Sequence, residues 1–143
     1  MARDHASLLL TKSLEWRRKL LLFSQTISKR NLPAMFRIDN DVLIATLPER
    51  LDTNNAPATE SAVVSEIDKG LTRVVIDCSN TTFISSAGLR VILKVAKLLH
   101  KQNGALALCG LNEEISEVFE ISGFLTLVNV FPSLTEAMDA VKA

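Results

Sequence analysis

The sequence predicts an α/β fold in which a mixed, mostly parallel β-sheet packs against about four α-helices. Three observations carry this. Arg73-Val74-Val75-Ile76-Asp77 is a short, unbroken, β-branched run of the kind covered on both faces of a sheet. Leu89, Ile92, Val95, Ala96 and Leu99 then recur at helical spacing, one apolar stripe of an amphipathic helix. The same strand-then-helix alternation repeats down the chain, and 143 residues with 48% apolar side chains suffice for one core plus an appendage.

Each element has its own signal. Phe36 to Ile38 and Val42 to Leu47 read as a strand pair, because Asp39-Asn40-Asp41 between them has turn composition. Asn54-Asn55-Ala56-Pro57 is suited to capping a helix that buries Val63, Val64 and Ile67 and stops at Gly70. The Val74 strand follows, then a helix opening at Ser86 and closing at Asn103-Gly104. Ala105 to Cys109 is a third buried strand, and Asn112 caps a helix through Val118 and Phe119 that ends at Gly123. Leu125 to Val130 reads as a strand, and Ser133-Leu134-Thr135-Glu136 fits a capping box opening the last helix.

Charge divides the chain. Arg3, Lys12, Arg17, Arg18, Lys19, Lys29 and Arg30 outnumber Asp4 and Glu15 within residues 1–33, a net +5 that leaves −5 on the remainder. Residues 1–34 are therefore read as a basic amphipathic N-terminal extension and 35–143 as the domain. Leu8-Leu9-Leu10, Leu14, Trp16 and Leu20-Leu21-Leu22-Phe23 leave three readings of the extension: a docked helix, an arm for a membrane surface or partner, or a non-native start upstream of Met35. Lys12, Glu15 and Arg17-Arg18-Lys19 interrupt it too often for a signal peptide. A net charge of zero gives no electrostatic basis for direct nucleic-acid binding, and no apolar run is long enough to span a membrane. Any membrane contact would have to come through the extension. Cys78 and Cys109 each end an apolar run and read as small buried residues in a reducing, cytoplasmic setting.

Phe83-Ile84-Ser85-Ser86-Ala87-Gly88-Leu89-Arg90 concentrates the unusual features. Two hydroxyls sit where a helix begins, and the free N–H groups there favour an anion. Gly88 inside a first helical turn costs roughly 1 kcal/mol relative to alanine, so it needs a local reason such as a close approach by another backbone. Both serines also suit a plain capping role.

This run, with Val75-Ile76-Asp77 before it and Glu117-Val118-Phe119-Glu120-Ile121-Ser122-Gly123-Phe124 after it, resembles a STAS domain. Within that superfamily it is most similar to bacterial anti-sigma factor antagonists. Leu51-Asp52-Thr53 fits the family's Leu-Asp-Ala-like step, and Ser133 through Ala140 its ending; the likeness spans about residues 36 to 142. The resemblance implies a STAS-type fold and partner switching. Such a protein binds an anti-sigma factor serine kinase and so releases a sigma factor; phosphorylation of one serine ends the binding, and a serine phosphatase restores it. By position the phosphoacceptor is Ser86, with Ser85, which stands where the family usually has aspartate, as the secondary candidate. Asp52, Ser85, Ala87, Gly88 and Arg90 are the implied partner-binding residues. Arg50 stands where many members have glycine nearby.

Catalysis by the chain itself finds no support in the sequence. A serine nucleophile needs a base, and the only histidines are His5 and His100. At 1.5 Å per residue, His100 lies roughly 20 Å along the helix from Ser86. No phosphate-binding loop, dinucleotide fingerprint or zinc-ligand spacing is present, so no catalytic residue, metal or cofactor is expected; the resemblance implies that ATP is brought by the kinase. Arg90, Lys94, Lys97 and Lys101 form a basic stripe that is either solvated or complementary to an acidic partner. Glu113, Glu114, Glu117 and Glu120 line the next helix, the first two suiting its dipole. The alternative function is a STAS subunit of a signalling scaffold or of a lipid or anion transport system, in which Ser86 need not be modified.

Overall fold

Strand β1 (Phe36–Asp39) turns straight back into β2 (Val42–Thr46), and the antiparallel register pairs Phe36 with Ala45 and Asp39 with Val42. Asn40 and Asp41 make the turn in left-handed conformation, at φ 49° and 64°, which these two residue types tolerate best after glycine. The computed structural model describes residues 35–142; the predicted extension lies outside them.

Beyond the hairpin the sheet is parallel. Its order is β1-β2-β4-β6-β7, with β4 (Arg73–Asp77), β6 (Ala105–Cys109) and β7 (Asn129–Phe131) added in turn. Helix α1 (Ala56–Asp68) connects β2 to β4, α2 (Ser86–Lys101) connects β4 to β6, and α3 (Glu113–Ser122) connects β6 to β7. Helix α4 (Leu134–Lys142) closes the chain. This is the mixed, mostly parallel sheet with four helices that the alternation predicts.

Strand alternation splits the core into two layers. Val42, Ile44, Val75, Ala107 and Cys109 meet Ala137, Met138 and Val141 of α4. Leu43, Ala45, Val74, Ile76 and Leu108 are equally buried and point to the opposite face. Val63 and Ile67 of α1 and Ile92, Val95 and Leu99 of α2 are buried with them. Val64 is only half-buried, whereas Glu66, absent from the predicted core, is 5% exposed beside Lys69 at 3.4 Å.

Two expectations need correction, and one element was unforeseen. Leu125 to Val130 is not one strand. After the left-handed Gly123 (φ 77°) the chain makes a short 3-10 turn at Phe124–Thr126, held by Leu127 N–H and Val128 N–H donating to the Phe124 carbonyl. The Phe124 ring packs edge-on against buried Phe119 at 5.8 Å, so pairing with β6 begins only at Asn129. Secondly, a separate two-stranded parallel ribbon, β3 (Arg50–Leu51) with β5 (Phe83–Ile84), was not expected at all. Thirdly, Asn55 occupies the cap position of α1 but makes no capping bond with its side chain. It faces the preceding loop instead.

Candidate partner interface

The β3–β5 ribbon builds the site. Thr82 N–H and Phe83 N–H donate to the Glu49 carbonyl at 2.8 and 3.2 Å, and Ser85 N–H donates to the Leu51 carbonyl at 2.9 Å. The Thr81 hydroxyl, buried, donates to the Pro48 carbonyl at 2.9 Å, and the exposed Thr82 hydroxyl to that of Glu49 at 3.3 Å. Two segments more than thirty residues apart are thereby zipped together, and the loop carrying Asp52 is fixed beside the start of α2.

Asn55 then clamps that loop. Its Oδ1 accepts from Asp52 N–H at 2.8 Å, and its Nδ2 donates to the Arg50 carbonyl at 2.6 Å. The Asp52 carboxylate accepts from Asn54 N–H at 3.0 Å, while the Asp52 carbonyl accepts from Ala56 N–H at 2.8 Å. Asp52 is half-buried, with Arg50 Nε 4.0 Å from its other oxygen. The Arg50 guanidinium sits 4.3 Å above the Phe83 ring, a cation–π contact between register partners. Neither Arg50 nor Phe83 was singled out for binding from sequence, because a two-residue strand carries no periodicity to reveal which side chains meet.

The two serines have different jobs. Ser85 is the N-cap of α2: its backbone is extended and its Oγ accepts from Gly88 N–H at 3.3 Å. Ser86 is the first helical residue and is exposed, and no hydrogen bond involves its hydroxyl among the described residues. Ala87 is half-buried and Arg90 is exposed. Gly88 is buried, and the reason for glycine lies inside the domain. A Cβ there would meet Ile84 Cγ2 and Leu51 Cγ, both at 2.9 Å, so it is side chains of the ribbon, not another backbone, that approach. Of the basic stripe, Lys94 is taken up by Glu60 of α1 at 3.0 Å.

His100 stands in the last turn of α2, at the opposite end from Ser86. No cluster of three or more His, Cys, Asp or Glu side chains that could hold a metal occurs among the described residues. Cys78 and Cys109 are free and buried, and burial pushes both thiols up to about 12, with the Asp77 carboxylate adding to the shift. Among the described residues no helix is long and apolar enough to cross a membrane.

Known proteins resemble this domain in sequence and in fold. The STAS domain family matches residues 34–137. BtrV of Bordetella bronchiseptica, provisionally named an anti-sigma factor antagonist, is 45% identical over 108 residues, 76% of this chain and 92% of BtrV. This chain belongs to the STAS domain family, among the anti-sigma factor antagonists. A crystal structure of a Thermotoga maritima protein, also provisionally named an anti-sigma factor antagonist, is similar to this STAS domain with a TM-score of 0.71 at 27% identity, covering 76% of this chain and 93% of that one. Bacillus SpoIIAA, solved in its phosphorylated form, shares the fold with a TM-score of 0.61 at 20% identity, covering 74% of this chain and 98% of its own.

Proposed function

We propose that this STAS domain is a phosphorylation-switched anti-sigma factor antagonist. Unmodified, it binds an anti-sigma factor serine kinase and sets a sigma factor free; phosphorylated on Ser86 it lets the kinase go, and a serine phosphatase resets it. The domain acts as substrate and ligand, and the kinase brings the ATP. The carrying observation is the division of labour at the start of α2, where Ser85 is spent on the cap and Ser86 presents an exposed hydroxyl that makes no hydrogen bond among the described residues. Family membership supplies the partner class, and a protein of the same fold, SpoIIAA, exists in a phosphorylated form.

The physical case is local. A phosphate adds about −1.5 to −2 charges at neutral pH. At a helix N-terminus the free N–H groups and the helix dipole accommodate that charge, so the modified domain stays folded. The change is felt by the partner, through bulk and charge on the surface shared by Ser86, Ala87, Arg90 and the Asp52 loop. Ser85 remains the secondary acceptor, and it would have to give up its bond to Gly88 N–H to serve.

Incubating the full chain with its organism's anti-sigma factor kinase and ATP, then mapping phosphate by mass spectrometry, tests the reading. Phosphate is expected on Ser86, and Ser86→Ala should keep kinase binding while resisting modification. Phosphate confined to Ser85, Thr81 or Thr82 overturns the assignment.

A further inference from the structure

Strand β1 is one margin of the sheet: its inner side pairs with β2, and among the described residues no strand adjoins its outer side. The direction of its backbone groups follows from the hairpin. Thr46 N–H donates to the Met35 carbonyl at 3.2 Å, and bonded and non-bonded pairs alternate along an antiparallel ladder. Arg37 and Asp39 therefore commit their backbone groups to β2, whereas Phe36 and Ile38 turn theirs to the open side. Natural sheet edges are commonly closed to further pairing by lysines, a proline or a bulge. The β1 edge, Phe36-Arg37-Ile38-Asp39 in regular register, has none of these. Its two charged side chains are opposite in sign, exposed and two residues apart on one face, and neither enters an ion pair among the described residues. On the other face Ile38, register partner of buried Leu43, is 38% exposed.

We infer that β1 is a self-association edge, which pairs antiparallel with β1 of a second copy of this chain about a two-fold axis at Ile38. The charge pattern selects this occupant. In that register Ile38 exchanges both backbone hydrogen bonds with its counterpart, using the groups that face outward. Arg37 of each copy stands opposite Asp39 of the other in a non-bonded pair, where side chains come closest, so two ion pairs form. The two Ile38 side chains meet across the axis and cover each other's exposed surface. A strand with one charge of each sign about a central residue is its own complement, as a two-fold interface requires. The other register that matches outward groups, centred on Arg37, sets two guanidinium groups directly opposite each other and is opposed by like charge. The strand is only 4 residues long, which places the dimer among small, transient interfaces that form and dissociate with concentration. β1 carries none of the residues proposed to meet the kinase, so the pairing uses none of them in either copy.

Sedimentation of the full chain from low-micromolar to millimolar concentration, with amide hydrogen exchange read at Ile38, tests this. The expected result is a monomer–dimer equilibrium in which the Ile38 N–H gains protection as dimer accumulates. Arg37→Asp makes the edge wholly acidic and Asp39→Arg makes it wholly basic; both positions are exposed, and each variant is checked for native thermal unfolding. Each variant alone should weaken the dimer about tenfold or more, since two attractive cross-strand pairs become repulsive. That deficit should shrink with added salt. Mixed in equal amounts, the two variants should recover a dimer at least as tight as wild type. A full chain that stays monomeric to millimolar concentration overturns the inference. So does a dimer that forms without added protection at Ile38, or one that neither variant weakens, since association then belongs to another face or to residues 1–34. A mixture that fails to associate after both single variants have lost the dimer rules out the Arg37–Asp39 pairing and overturns it as well.

Discussion

Ser85 N–H donates to the carbonyl of Leu51 at 2.9 Å, joining the residue that caps α2 to the residue that precedes the Asp52 loop. That one bond makes the loop and the helix start a single surface. It also brings the Leu51 side chain over Gly88, which has no room for a Cβ. Gly88→Ala should therefore lose about 1–3 kcal/mol through overpacking, outweighing alanine's better helix propensity. Urea denaturation measures this. An unchanged or raised midpoint would show that Leu51 and Ile84 yield freely.

The two serines should separate under mutation. Ser85→Ala removes the cap and should cost about 0.5–2 kcal/mol, toward the lower end because the bond is 3.3 Å long. Ser86→Ala removes an exposed hydroxyl and should leave stability within about 0.5 kcal/mol. Phosphorylation should show the reverse order, with Ser86→Ala abolishing it and Ser85→Ala retaining it. Equal stability losses would contradict the assignment of roles.

Asn55→Ala tests the clamp. The change removes acceptance from Asp52 N–H and donation to the Arg50 carbonyl, at about 0.5–1.5 kcal/mol for each bond. Stability should fall by about 1–3 kcal/mol, and kinase affinity should fall further because Asp52 is no longer held in place. Kinase binding equal to wild type would exclude the Asp52 loop from the interface.

Most of the sheet was legible because its strands obey strong local rules. Val74-Val75-Ile76 could hardly be anything else, and Asn112 and Gly123 bracket α3 by capping chemistry alone. The site was legible only as positions. That Ser86 begins a helix follows from its neighbours, but that Ser85 alone supplies the cap depends on one backbone conformation. Arg50 above Phe83 is a contact between residues 33 apart in sequence, joined by strands of two residues each. Neither propensity nor period can encode such a pairing. Asn55 misled for a related reason: at a helix start asparagine is a good cap, yet here two backbone groups of the loop hold its side chain. Val118 shows the limit from the other side. Its spacing beside Phe119 marks it as apolar, and only the packed structure shows that it faces out.

The cysteines give a prediction in pH. Cys78 and Cys109 have thiols raised to about 12 against an ordinary 9.0, first by burial. A raised folded pKa stabilises fully below the unfolded value and loses that contribution as pH climbs toward the folded one. Stability should therefore fall between about pH 9 and 12, as the unfolded thiols ionise and the folded ones do not. Replacing both cysteines with alanine should flatten this decline. At pH 8 a disulfide-exchange reagent should label neither thiol in the native protein and both after denaturation, and rapid native labelling would contradict the burial.

The last prediction concerns the first 34 residues. We propose that residues 35–143 fold as a unit without them. The buried apolar residues of the described domain run from Phe36 to Val141 and fill both faces of the sheet, and the family match begins at residue 34. A chain starting at Met35 should then unfold cooperatively, with a melting temperature within a few degrees of the full chain, and should bind the kinase equally well. The opposing argument comes from the sequence. Leu14, Leu21, Leu22 and Phe23 would each gain about 1.5–3 kcal/mol if buried, so an extension that packs on the domain would be missed when removed. The two accounts differ by many degrees in a domain of this size, since 1 kcal/mol moves the midpoint by about 4–8 °C. A large drop in melting temperature, or aggregation of the shorter chain, would make the extension part of the fold.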